Sequence, residues 1–195
     1  MPKIPRSFEQ TAPFVLALAL ASGAAGCEPS QPGRTAGASN LPGWEARARQ
    51  LFDDNIDPAA VGLSMEGPSP RSDVFLRERA QTADVVARVR VQTVTIDSVG
   101  EQKTYHLGIQ VGVPTLIPAK IDDRTFELSI KPSSSAFGIA RAFDARLRGQ
   151  TFIGFIKRFS SEHGEVEVHW HLSADTAEVV SAVKEAVALR EITGS

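Results

Sequence analysis

Between Asp84 and Ile96 the side chains alternate, with Val85, Ala87, Val89 and Val91 on one face and Arg88, Arg90 and Gln92 on the other. A repeat of two marks a half-buried β-strand, because successive residues of an extended chain point to opposite faces. After Gln92 the apolar phase moves by one residue, to Val94 and Ile96. A shift of one turns every side chain over, so the strand is expected to bulge or bend sharply at Gln92 and Thr93. Asp97 to Lys103 holds turn residues, and Tyr105, Leu107, Ile109, Val111 and Val113 then resume the alternation, which predicts a hairpin. Pro114 and Pro118 end it, Asp122 and Asp123 make a turn, and Phe126, Leu128 and Ile130 mark a third strand stopped by Pro132. Ile139, Phe143 and Leu147 recur at every fourth position beside Ala136 and Ala140, which predicts a helix capped by Ser133 to Ser135 and closed by Gly149. Thr151 to Phe159 is apolar on both faces, as a fully buried strand is. A turn at Ser160 to Gly164 leads to Val166, Val168, Trp170 and Leu172, alternating with Glu167, His169 and His171. Asp175 to Glu191 reads as a helix with a capping box from Asp175 to Glu178 and a core stripe of Val179, Val180, Val183 and Val187, continued by Leu189 or the stem of Arg190.

Upstream, residues 44–83 read as a helical segment and residues 84–195 as the β-rich domain. Trp44 to Phe52 predicts a short helix, with Pro42 in its first turn and Trp44, Ala48, Leu51 and Phe52 on one side. Pro58 opens another brief turn, and Pro68 and Pro70 interrupt the chain before a helix from Ser72 to Thr82. In that helix Val74, Phe75 and Ala83 are expected to face the core, with Arg77, Glu78 and Arg79 facing water. Residues 27–43 are rich in Pro, Gly, Ser and Ala and read as a flexible linker. Such a coil reaches about 20 to 25 Å.

Residues 1–26 have the form of a signal peptide, with Lys3 and Arg6 before the apolar run Phe14 to Ala21 and small residues from Ser22 to Gly26. That run falls short of the roughly 20 apolar residues that cross a bilayer. The chain has one cysteine, Cys27, which can make no internal disulfide. Ala24-Ala25-Gly26-Cys27 resembles the lipobox of bacterial lipoproteins, with Ala24 where that motif usually has Leu. The resemblance covers four residues and implies an exported protein of the cell envelope, tethered to a membrane by diacylglycerol on Cys27. An ordinary secretory signal cut near Ala19 to Ala21 is the alternative. Glu28 stands where the inner-membrane retention signal is commonly Asp, so the resemblance favours the outer membrane. Acyl chains contribute about 0.8 kcal/mol per buried methylene, so two or more hold firmly.

The order of three strands, a helix, two strands and a helix, with a long bent first strand, resembles the OB-fold. The fold class expected is therefore α+β, mainly antiparallel, as a small five-stranded OB-like barrel or sheet with flanking helices. The order is also similar to netrin-like modules of the same barrel type, whose disulfide cysteines this chain lacks. An antiparallel sheet packed on the last helix is the rival architecture.

Lys and Arg number 21 against 23 Asp and Glu, and residues 70–195 carry sixteen of each sign. So even a balance lacks the concentrated positive field that recruits nucleic acid. Arg88 and Arg90, with Lys157 and Arg158, could form a basic stripe across the barrel face, with Trp170 beside it. Glu165 and Glu167 are on hand to neutralise that stripe. His169 and His171, two residues apart on one strand face, have the spacing of a metal pair, with His106 and His163 as further candidate ligands. No nucleophile motif, phosphate loop or cofactor motif occurs in the chain. The sequence thus points to a non-catalytic binding or scaffold module that meets an envelope protein or glycan. The alternative is a metal-dependent hydrolase or metal-binding protein centred on His169 and His171.

Overall fold

The computed structural model describes residues 40–63, 67–112, 114–116 and 124–193. The signal segment, Cys27 and linker residues 28–39 lie outside the described residues, as does the Asp122 and Asp123 turn. The described part opens with helix α1 (Ala46–Leu51), strand β1 (Asn55–Ile56) and a 3-10 turn (Pro58–Val61), followed by helix α2 (Val74–Thr82). Strands β2 (Val85–Val99), β3 (Gln102–Val111) and β4 (Thr125–Ile130) precede helix α3 (Phe137–Leu147). Strands β5 (Thr151–Ser160) and β6 (Val166–Ala174) and helix α4 (Ala177–Thr193) complete it. The architecture is α+β, a mostly antiparallel sheet of six strands curled into a half-barrel, in the order β1-β6-β5-β2-β3-β4.

The sixth strand is the departure from the five expected. β1 pairs parallel with β6, Asn55 with His171 and Ile56 with Leu172. At two residues it is too short for a period to register, and it comes from a segment read as helical. The expected irregularity in β2 is present as a register shift between Val91 and Thr93. It turns Val94 toward the same interior as Val91, and it brings Thr93 opposite Gly108. A Cβ on Gly108 would lie 2.3 Å from Thr93 Oγ1, so a glycine lets the strands approach at the bulge. The β2–β3 turn is tighter than predicted, because Asp97, Ser98 and Lys103 all belong to the ladder.

The two faces of the sheet bury different cores. Inside the curl, Val89, Leu107, Leu128, Ile156 and Trp170 pack with Ala140 and Leu147 of α3. On the outer face, Val86, Ile153, Phe155 and Phe159 pack under α1, α2 and α4 through Leu51, Leu76, Ala80 and Val183. β5 is therefore buried on both sides, as its composition predicts. The helices depart from their predicted faces and caps. Val74 and Phe75 of α2 are exposed while Leu76, Arg79, Ala80 and Ala83 are buried, because Leu76, Ala80 and Ala83, at i, i+4 and i+7, form the face that packs on the sheet; Asp73 caps the helix through Phe75 and Leu76 N–H. Pro42 lies upstream of α1, its carbonyl accepting from Ser160 N–H, with Gly43 bridged to Ser160. Ser134 closes a turn on Lys131 N–H rather than capping α3, and that helix kinks at Phe143. Thr176, not Asp175, caps α4, its hydroxyl accepting from Val179 N–H. Among the described residues no helix is long and apolar enough to cross a membrane.

Gly154 lies where β5 passes between Ala87 of β2 and Leu172 of β6. A Cβ there would sit 3.0 Å from Val89 Cγ1 and 3.5 Å from Leu172 Cδ2. Gly154→Val is expected to lower stability by about 1 to 3 kcal/mol through overpacking, read as a lower urea midpoint with an unchanged slope.

Candidate functional site

The densest set of polar side chains with defined partners lies where α1 turns into β1 and meets β6. Two consecutive carboxylates reach two alternate histidines, so the extended β6 repeat matches one Asp to each imidazole. Asp54 Oδ2 lies 2.9 Å from His169 Nδ1, and Asp53 Oδ1 lies 2.8 Å from His171 Nδ1. An ionised carboxylate only accepts, so each Nδ1 carries the proton and donates it.

Asp54 has φ of 48°, the single non-glycine residue in the left-handed region among the described residues. Asp tolerates that region better than most residues. The conformation aims every polar group of Asp54 at a partner. Its N–H donates to Trp170 carbonyl oxygen at 3.0 Å, and its carbonyl accepts from Ala136 N–H at 3.2 Å. Its Oδ1 accepts from Trp170 N–H at 3.2 Å. His169 stacks flat on Trp44, ring centres 3.6 Å apart at 6°. The Arg49 guanidinium lies over the same indole at 5.0 Å, so both faces of Trp44 are covered. His169 Nε2 is buried without a hydrogen bond, 3.6 Å from Glu167 Oε2. His171 is buried against Phe155. Burial pushes its imidazole down from the ordinary range, against the raising effect of the Asp53 hydrogen bond, so it stays neutral. Buried Arg79 donates to Leu51 carbonyl oxygen at 2.6 Å; desolvation lowers its pKa while the fields of Asp53, Asp73 and Asp57 oppose the shift.

The other predicted residues are dispersed. Trp170 is 1% exposed in the inner core, so it is no surface contact. Its neighbours on β6 are likewise less open than a solvated face: α1 and the turn after it cover them. His106 lies across β2–β4, with Nδ1 3.0 Å from Glu127 and Nε2 3.2 Å from Asp97. His163 is exposed in the β5–β6 turn. Among the described residues no group of three or more His, Cys, Asp and Glu side chains could hold a metal ion. The stripe is neutralised by residues other than Glu165 and Glu167. Arg88 makes a two-pronged pair with Asp175 at 2.7 and 2.8 Å. Lys157 and Arg158 both face Asp84, at 3.6 and 3.4 Å. Arg90 is exposed, its guanidinium beside Gly149.

Two clefts flank Trp44. One, of about 700 Å³, lies toward the β5–β6 turn and includes Glu45, Arg49, Glu162 and His163. The other, of about 450 Å³, lies between β4 and β6 and includes Glu127, Ser129, Lys131, Glu167 and Val168. Sequence reasoning missed Asp53 and Asp54, which are separated from their histidines by more than a hundred residues. The doublet just past a predicted helix end was the available signal. Compared with known proteins, the chain matches no family model, no curated protein and no solved structure.

Replacing Asp54 by Ala removes two side-chain hydrogen bonds and leaves a β-carbon residue in the left-handed region without local support. A loss of about 2 to 4 kcal/mol is expected, with Asp54→Asn milder because Asn tolerates that conformation; chemical denaturation of the two variants checks the order. His171 supplies a pH dependence. Its folded pKa lies below the unfolded value of about 6.5, so below that pH the unfolded chain binds the extra proton. Stability from this group is present above pH of about 6.5 and falls as the pH drops toward the folded value. His171→Gln should flatten the stability profile in that window, and an identical slope in both proteins would remove the assignment.

Proposed function

We infer that the chain is a lipid-anchored protein of the bacterial envelope whose domain is a non-catalytic binding module. The observation that carries this reading is that the two buried imidazoles of β6, His169 and His171, are each held by a carboxylate from the turn after α1. Asp54 joins β1, β6 and α3, and His169 seats Trp44; such groups serve as struts rather than as a nucleophile with its base. Metal coordination by His169 and His171 is left to their Nε2 atoms, since each Nδ1 is held by a carboxylate, and among the described residues no third His, Cys, Asp or Glu completes a group with them.

Counted from β2, the spatial order is third, second, first, fourth, fifth, with α3 between the third and fourth strands. A long bulged first strand that pairs with both the second and the fourth favours the OB-like barrel. Its partner is more naturally a protein than a glycan. Sugars are commonly held by an open aromatic face, and here Trp44 is covered on both sides while Trp170 is internal.

Cys27 at the end of the small-residue run supports export, cleavage and attachment through a thioether to diacylglycerol, with the outer membrane as destination. The linker then holds the domain near the headgroups. In cells fed a labelled fatty acid, the wild-type chain should take up label and Cys27→Ser should lose it and leave the membrane fraction. Retained label in Cys27→Ser would overturn the anchor.

A further inference from the structure

We propose that the cleft between β4 and β6 receives an extended segment of another protein, which adds as a strand to the free edge of β4 and presents apolar residues inward and basic residues outward. The proposal rests on the binding-module reading and names the partner chemistry for it. The ladder fixes which backbone groups are free. Arg124 carbonyl oxygen accepts from Val111 N–H, so alternate residues of β4 turn their backbone groups to β3. Thr125, Glu127 and Ser129 turn theirs to the open side, where β4 is the last strand of the sheet among the described residues. Across the cleft, Trp170 and Leu172 turn their carbonyls away from β5, to Asp54 and Asp57 N–H. By the same alternation Val166 and Val168 turn their backbone groups outward, beyond the reach of the two-residue β1.

The side chains give the same result. Val166 and Val168 share the face of Trp170 and Leu172, which is the barrel interior, yet they are 42% and 39% exposed. Apolar residues that face inward and remain open are what a barrel has where a strand is missing. On the outer face the cleft is lined by Asp53, Asp54, Glu127 and Glu167 against Lys131 as its one Lys or Arg. A strand seated there would put its alternate side chains between Glu127 and Glu167, where Lys or Arg is complementary and Asp or Glu is repelled. Main-chain hydrogen bonds then give affinity, and the two-residue repeat gives selectivity.

The test uses the full-length chain in detergent and a blocked nine-residue peptide alternating Val and Lys. Binding is followed by anisotropy of a dye on the peptide and by amide hydrogen exchange. The expected result is saturable binding with slowed exchange at Thr125, Glu127 and Ser129. Affinity should fall about tenfold or more in the Glu127→Lys, Glu167→Lys double variant. Glu127→Pro should also abolish it, since that N–H faces the open edge and the ladder to β3 does not use it. Equal affinity for a Val and Glu peptide, for a backbone N-methylated peptide, or for both charge-reversed and wild-type chains would overturn the proposal. A photo-crosslinker at Ser129 in intact envelopes separates the two levels. If it captures a partner while the Val and Lys peptide fails to bind, the strand proposal falls and the binding module stands; if neither occurs, both fall.

Discussion

The open side of the half-barrel is held together by the backbone and carboxylate of Asp54. Four of its polar groups are satisfied at once, two by Trp170 backbone, one by Ala136 and one by His169. Those partners belong to β6, through the inward Trp170 and the outward His169, and to the turn into α3 at Ala136. A left-handed conformation at a residue with a β-carbon is unfavourable by itself, and it persists because the surrounding bonds over-determine it. Through this residue the chain turns from α1 on the outer face to β1 at the sheet edge, and Ile56 enters the inner core. Movement at Asp54 would therefore loosen both cores together.

The pair on the outer face extends this constraint to the amino-terminal side. His169 is fixed by Asp54 and in turn supports Trp44, whose indole N–H donates to Phe52 carbonyl oxygen at 3.3 Å. Pro42 and Gly43 tie onto Ser160 just before it. The point at which the linker joins the folded domain is thus set beside the β5–β6 turn by aromatic stacking and two short stretches of backbone pairing. A pull on the chain before Pro42 would be borne first by the pairing of Pro42 and Gly43 with Ser160, and only then by the Trp44 stack.

Much of the sheet was legible in the sequence. Alternation located β2 to β6, and the phase change at Gln92 located the bulge, because burial of one face writes a period of two directly into the residues. The two-sided apolarity of Thr151 to Phe159 placed β5 between two cores. The helices were less legible, since the buried face of α2 carries one large apolar residue, Leu76, beside the small Ala80 and Ala83, and Thr176 displaced Asp175 from the cap of α4 once Asp175 was drawn to Arg88. His169 and His171 were legible as a pair on one strand face, but their match to Asp53 and Asp54 was not. Their partners lie 115 and 118 residues apart, and a long-range match of two Asp to two His has no local pattern to carry it.

The cleft between β4 and β6 follows from the shortness of β1. A strand that covered the whole edge of β6 would bury Val166 and Val168 and satisfy their backbone groups, as Asn55 and Ile56 do beside His171 and Leu172. Asp54 prevents this, because its left-handed turn brings the chain in from α1 on the outer face, so that pairing with β6 begins only at Asn55. The same residue that closes one end of the barrel therefore leaves the other end open. The carboxylates gathered at that opening include Asp53 and Asp54 themselves, so the charge of the cleft is a direct result of how the fold is fastened. A segment entering it would meet a groove whose shape and sign are both determined by the turn at Asp54.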